Sequence, residues 1–121
     1  MALIVATNAY RTELAARAVS GDPSLIPYKV AFGDGNTTED ITDTALENEL
    51  FRVDPDTVSS NGVILTIEVT IDYEDTGDNE ICEIGVFAET EASEVLMGRK
   101  VFSPKVLTDP DQSTFTVDFV Y

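Results

Sequence analysis

The side chains that most enzymes use for proton transfer and nucleophilic attack are nearly absent from this sequence. None of its 121 residues is histidine. That removes the commonest general base, the Ser–His–Asp and Cys–His nucleophile systems, and the commonest zinc ligand. One cysteine, Cys82, is present, and a lone thiol cannot assemble a zinc or iron–sulfur site. It falls on the same alternating row as Ile84, Val86 and Ala88, which reads as a packed thiol rather than a nucleophile. Chemistry is left to carboxylates, and a glycosidase needs only two. Glu80 and Glu83 are close in sequence, but on a strand they point to opposite faces. No tryptophan is available to stack a sugar. The expectation is a non-enzyme with no catalytic residues.

Ligand sites are equally poorly supported. Phe32-Gly33-Asp34-Gly35 has two glycines of a phosphate-binding loop. The third is missing, Glu39 and Asp40 follow, and no helix opens at once to aim N–H groups at an anion. Asp34, Asn36 and Asp40 lack the ligand register and bidentate glutamate of an EF-hand. A turn leading into a solvated acidic loop accounts for both, so no cofactor and no metal are expected. Asn36-Thr37-Thr38 matches a glycosylation acceptor. The apolar start Met1–Val5 is too short for a secretory signal core and has no basic flank.

Charge narrows the partners. With 23 acidic and 7 basic residues the formal net charge is −16. Such a surface repels nucleic-acid phosphates and anionic lipid headgroups, so neither nucleic acid nor membrane is expected as a partner. A protein with a basic patch is its electrostatic complement. Most of the acids serve solubility, and a high-salt habitat would favour them too. No apolar run approaches bilayer length. The composition, 43% hydrophobic and 25% charged, is globular. The length suits one domain over residues 1–121, large enough to fold without a disulfide or metal.

The elements that would position these residues follow from periodicity. Thr7 and Asn8 before Ala9, and Gly21 with Pro23 after Val19, bracket a helix over 9–19. Its stripe of Tyr10, Leu14 and Ala18 is narrow, so it should lie against a sheet or a neighbouring subunit. Ile26 to Phe32 reads as a strand ending at the turn Gly33–Asn36. Thr44-Ala45-Leu46-Glu47 has capping-box spacing, which predicts a short helical turn near residues 44–50, broken at Asp54-Pro55-Asp56. Val63, Leu65, Ile67, Val69, Ile71 and Tyr73 alternate with mostly polar residues, the clearest strand in the chain. Thr76-Gly77-Asp78-Asn79 predicts a hairpin-like turn. Further strands are predicted over Glu80–Ala88, with apolar residues on both faces, over Val95–Phe102, and over Phe115–Tyr121. Five or so strands without crossover helices give a mainly β (α+β) fold: an antiparallel sheet or β-sandwich with one N-terminal helix.

Several segments, in order, resemble the N-terminal domain of phage tail-collar fibre proteins and related tail-associated proteins. They are Tyr28-Lys29-Val30-Ala31-Phe32-Gly33-Asp34-Gly35; Thr44-Ala45-Leu46-Glu47-Asn48-Glu49-Leu50-Phe51-Arg52; Ile81-Cys82-Glu83-Ile84-Gly85-Val86-Phe87; and Gly98-Arg99-Lys100-Val101-Phe102-Ser103-Pro104. With the leading helix they span roughly the whole chain. The resemblance implies a structural module that attaches a fibre or adhesin to the tail or baseplate of a virion, without catalysis. The sequence ends at Tyr121, where a fibre would continue into a shaft and tip. The expectation is therefore an adaptor or baseplate component, made in the host cytoplasm and carried in the virion. It would contact other tail or baseplate proteins, in repeated copies or as a homo-oligomer. A capsid decoration or head–tail connector protein is an alternative. A carbohydrate-binding module of the host-recognition apparatus is another.

The motif residues also have local readings. Gly33, Gly35, Leu46, Glu49, Arg52, Glu83, Gly85, Phe87 and Arg99 are the candidates for structural motif or interface. Glu49 and Arg52 are three apart and would pair across a helical turn. Either Arg52 or Arg99 would pair with Glu83 and pin the short helix to the sheet, or else all three charges are solvated surface. Gly85, with no side chain, marks a bulge or the close approach of another backbone. Phe87 would be core or interface.

Overall fold

A computed structural model of the chain describes residues 2–21, 25–90 and 93–121. Met1, Pro23 (part of the expected helix stop), Glu91 and Ala92 lie outside the described residues. The elements run β1 (Ala2–Leu3), α1 (Asn8–Ser20), β2 (Pro27–Gly33), β3 (Glu49–Val53), β4 (Thr57–Asn61), β5 (Ile64–Asp72), α2 (Tyr73–Thr76), β6 (Ile81–Glu89), β7 (Glu94–Lys105) and β8 (Gln112–Val120). Two four-stranded sheets result, in the orders β1-β8-β5-β4 and β3-β2-β6-β7. Every pairing is antiparallel except β1 with β8. The mainly β architecture with an N-terminal helix is as the periodicity predicts.

Local chemistry explains the clearest elements. The Thr7 hydroxyl caps α1 by accepting the Tyr10 N–H, and Gly21 closes it at φ 76° with its N–H on the Arg17 carbonyl. Only Tyr10 of the expected stripe is buried; Ala18 is exposed. The helix is held at its start, where the Thr7 N–H donates to Met97 O at 2.9 Å and its hydroxyl to Leu96 O at 2.5 Å. Gly62, at φ 62° and first of the two residues between β4 and β5, suits the hairpin turn that needs glycine there.

The core lies between the sheets. Val30, Phe32, Ile84, Val86 and Met97 from one sheet meet Ile67, Val69, Ile71, Val117 and Phe119 from the other. Aromatic rings bridge the layers: Phe32 and Phe115 stand 5.1 Å apart between centroids, and Phe102 and Phe115 stand 5.4 Å apart. The alternation of β5 puts Ile67, Val69 and Ile71 inside with no exposure, while Val63 at its end is exposed.

Several expectations need correction. Residues 44–48 form no helix, and Glu49 to Val53 is a strand. The N–H groups of Glu47 and Asn48, which a helix start would direct to local acceptors, go to the distant Glu83 carboxylate. The short helix stands instead at Tyr73–Thr76, where Asp72 and Asp75 form a reciprocal capping box. That stretch is not a hairpin, because β5 and β6 lie in different sheets and it crosses between them. Strands β1, β3 and β4 were not legible: β1 is two residues long and β4 has no buried position. A register irregularity between Ile81 and Glu83 puts Ile81, rather than Cys82, in the core between the sheets.

The sheet β3-β2-β6-β7 is apolar on both faces; eight of the nine residues of β6 are buried. Its outer face carries a second cluster of Ala31, Leu46, Phe87 and Leu96, with Tyr28 against it. Leu46 reaches it from the loop 34–48, which folds back over the sheet as a lid.

At Gly98 a β-carbon would overlap Ile4, and Phe119 Cε1 and the Val5 carbonyl would lie 2.8 and 3.0 Å away. Gly98→Val is expected to destabilise the fold by about 1–3 kcal/mol through overpacking, read as a lower urea midpoint with unchanged slope. A wild-type midpoint would show that the N-terminal segment does not pack there.

Candidate functional site

A buried carboxylate organises the outer face of the β3-β2-β6-β7 sheet. Glu83 is fully buried on β6. Its oxygens accept the N–H groups of Gly35 (2.8 Å), Glu47 (2.9 Å) and Asn48 (2.9 Å), and the Nε of Arg99 (2.7 Å). An unpaired carboxylate in such a place would take up a proton. Burial does push its pKa up, but the Arg99 hydrogen bond and the three backbone N–H groups outweigh it and hold the carboxyl below the usual glutamate range. Register explains the choice of partner: Arg99 lies opposite Gly85 on β7, beside Glu83. Of the two candidate arginines, Arg99 is the one that pairs. It is 5% exposed, and its Nη1 also donates to Asp43 at 3.3 Å.

The glycines make room for this arrangement. A β-carbon on Gly33 would overlap the Asn48 carbonyl, and one on Gly35 would overlap Glu47 and the Glu83 carboxylate. Gly85 is where Leu46 sits: a β-carbon there would overlap its side chain. The close approach expected at Gly85 is therefore made by a leucine side chain rather than a backbone. The Cys82 thiol donates to the Asp34 and Gly35 carbonyls, both at 3.1 Å. Its burial, then the charges of Glu83 and Asp34, push its pKa up, so it stays a thiol and a poor nucleophile.

Beside this lies a second cluster. Arg52, on β3, does not reach Glu83. It donates to Glu49 through Nε at 2.6 Å, and to Glu94 through Nη1 at 2.6 Å and Nη2 at 2.8 Å. Its guanidinium lies 4.1 Å from the centroid of the Phe87 ring. The Glu49–Arg52 pair thus forms on a strand, not across a helical turn. Glu94 also accepts the Tyr28 hydroxyl at 2.5 Å. Hydrogen bonding from Arg52 holds the Glu94 carboxyl below its usual range.

All nine residues singled out from the sequence fall in these two adjoining clusters. Six of them, Gly33, Gly35, Leu46, Glu83, Gly85 and Arg99, meet at the lid. Glu49, Arg52 and Phe87 form the neighbouring platform. Sequence reasoning missed Glu94 and Asp43, whose roles depend on strand register and loop path. It also missed the lid's internal tie: Glu47 accepts the N–H groups of Asn36 (2.9 Å) and Thr37 (3.4 Å). The spacing of Glu47 from Thr44 signalled a helix cap instead.

Chemically the arrangement is a clamp. Its carboxylate is consumed by four donors. Among the described residues no group of three or more Cys, Asp or Glu is placed to hold a metal ion. The clamp presents the lid outward: Asn36, Thr37, Thr38, Asp40, Ile41 and Thr42 are exposed. A separate groove of about 450 Å³ opens between the N-terminal segment and the last strand, lined by Leu3, Val5, Tyr10, Leu14, Val120 and Tyr121. The Tyr10 and Tyr121 hydroxyls are hydrogen-bonded across it.

Glu83→Gln leaves the buried Arg99 charge with only the longer Asp43 contact at 3.3 Å and is expected to cost about 3–5 kcal/mol at neutral pH. Glu83→Gln with Arg99→Met should recover part of that loss. Because the folded pKa of Glu83 lies below its ordinary value of 4.5, its contribution is full above that value and is lost as pH falls through the folded pKa. Urea titrations from neutral to acid pH should show wild type losing stability relative to Glu83→Gln as the solution is acidified. A constant gap between the two would disprove the charged clamp.

The chain matches no family model, and the searches of curated proteins and of solved structures likewise return no match.

Proposed function

We propose that this chain is a structural attachment module of a bacteriophage-like tail or baseplate, docking tail fibres or other tail proteins by shape and surface complementarity. The observation that carries this reading is spatial. The four segments that resemble tail-collar fibre domains are dispersed in sequence, yet they form one unit. Residues 28–33, 81–87 and 98–104 lie on the neighbouring strands β2, β6 and β7, and residues 34–35 begin the lid. Residues 44–52 supply the end of the lid and β3. The residues that make the resemblance are the ones that hold the lid: the glycines it lies on, the leucine that plugs it and the buried ion pair beneath it.

Such a clamp suits docking. A loop fixed by buried hydrogen bonds loses little conformational freedom when a partner covers it. The net charge of −16 favours a partner surface carrying Lys or Arg.

Immunogold labelling of purified particles with an antibody to this protein should place it on the tail or baseplate. Label confined to the head would favour a capsid or connector role, and protein found only free in the cell and never on particles would refute the reading.

A further inference from the structure

Four strands stand at sheet edges: β1, β4, β3 and β7. An edge offers unpaired N–H and C=O groups to any passing strand unless something blunts it. Strand β1 is only two residues long. Strand β7 is covered: Thr7 bonds to the Leu96 and Met97 carbonyls, and Glu39 accepts the Val101 N–H at 3.2 Å. Strand β3 carries Glu49 and Arg52 within the strand itself. Among the described residues, strand β4 has no such protection within the strand. Thr57-Val58-Ser59-Ser60-Asn61 contains no charge and no proline, and all five residues are exposed. Its two-residue turn makes Asn61 and Ile64 the closing pair. Thr57, Ser59 and Asn61 therefore bond to β5, and Val58 and Ser60 turn their backbone groups outward.

We propose that β4 pairs antiparallel with β4 of a second copy of this chain, about a two-fold axis at Ser59, fusing two four-stranded sheets into one continuous sheet. This deepens the attachment reading and rests on it, since it gives that module its symmetric repeat.

The register is self-complementary. Thr57 faces Asn61, Val58 faces Ser60, and Ser59 faces its own copy, so no charge opposes a charge. Asp56, just before the strand, comes opposite Gly62. Any self-contact must overcome the repulsion of two bodies each carrying −16, and this edge adds no charge of its own to it. The edge is also continuous with exposed apolar surface: Val58, Val63 and Tyr121 are 41, 60 and 56% exposed. A groove of about 250 Å³ lined by Ser60, Val63, Ile64 and Tyr121 runs beside it. Isologous pairing of this kind closes on itself rather than propagating.

Sedimentation equilibrium on the full chain is expected to show a monomer–dimer equilibrium that tightens several-fold between roughly 0.1 and 1 M NaCl, as salt screens the opposing charge. Ser60→Pro removes an outward N–H without touching the β4–β5 ladder and should weaken the dimer by about 10-fold or more. Ser59→Cys should form an intermolecular disulfide under mild oxidation, because facing residues of a non-hydrogen-bonded pair stand about 4.5 Å apart. A chain that stays monomeric at every salt concentration overturns the proposal, as does a dimer indifferent to Ser60→Pro. A monomer that still labels the tail would sink self-pairing alone, while a β4 dimer never found on particles would sink the attachment reading alone.

Discussion

The structure depends on a carboxylate placed where water cannot reach it. Removing Glu83 from solvent is costly by itself, and an ion pair seldom repays such a cost unless further hydrogen bonds complete the geometry. Here they do. Three backbone N–H groups and the Arg99 guanidinium converge on it, and the donors come from a loop and from the neighbouring strand. The interaction works in both directions. The sheet holds the loop, and the loop supplies the donors without which the charge could not stay buried.

Much else on this face is a consequence. The loop must approach the sheet closely, so glycine stands at 33 and 35, where a side chain would strike Asn48, Glu47 or the carboxylate itself. Leu46 needs a socket, and Gly85 provides it between Phe87 and Leu96. Cys82 fills a gap and satisfies two loop carbonyls. The apolar residues on both faces of β6, unusual for an antiparallel strand with one wet side, are explained by a lid on one side and the opposite sheet on the other.

What was legible in the sequence was local. The alternation of β5 and the caps of α1 are decided by neighbours a few residues away, and they stand where periodicity put them. The 44–50 segment was misread because its decisive acceptor is 36 residues downstream. A capping-box pattern competes with any other acceptor for the same N–H groups, and a buried carboxylate prevails over a local hydroxyl. The partner of Glu83 was ambiguous for a related reason. Arg52 and Arg99 look alike in sequence, and only the register that sets Gly85 opposite Arg99 separates them. Strand β4 was invisible because a fully exposed edge strand has no apolar row to betray it. The conspicuous motif residues are far apart in sequence, and their proximity is intelligible only from the fold: one buried carboxylate draws Gly35 and Arg99 to itself, while Arg52 and Glu49 pair beside it.

The division of labour between the two sheets bears on how such a molecule can join an assembly. The clamped sheet spends its charged and glycine residues on its own lid, and its open edge strand carries Glu49 and Arg52, already paired. On the attachment reading, its contribution to a contact would be a rigid outline. The other sheet is different: its outer face carries Thr66, Thr70, Thr114 and Thr116 with Glu68 and Asp118 among them, and its far edge is uncharged. On a body with a net charge of −16, a neutral backbone edge adds no local charge to the repulsion between copies and demands no basic partner. On the two proposals made above, shape presented by one sheet and backbone pairing offered by the other would be independent devices, joining copies to one another through one sheet and holding a different protein at the other.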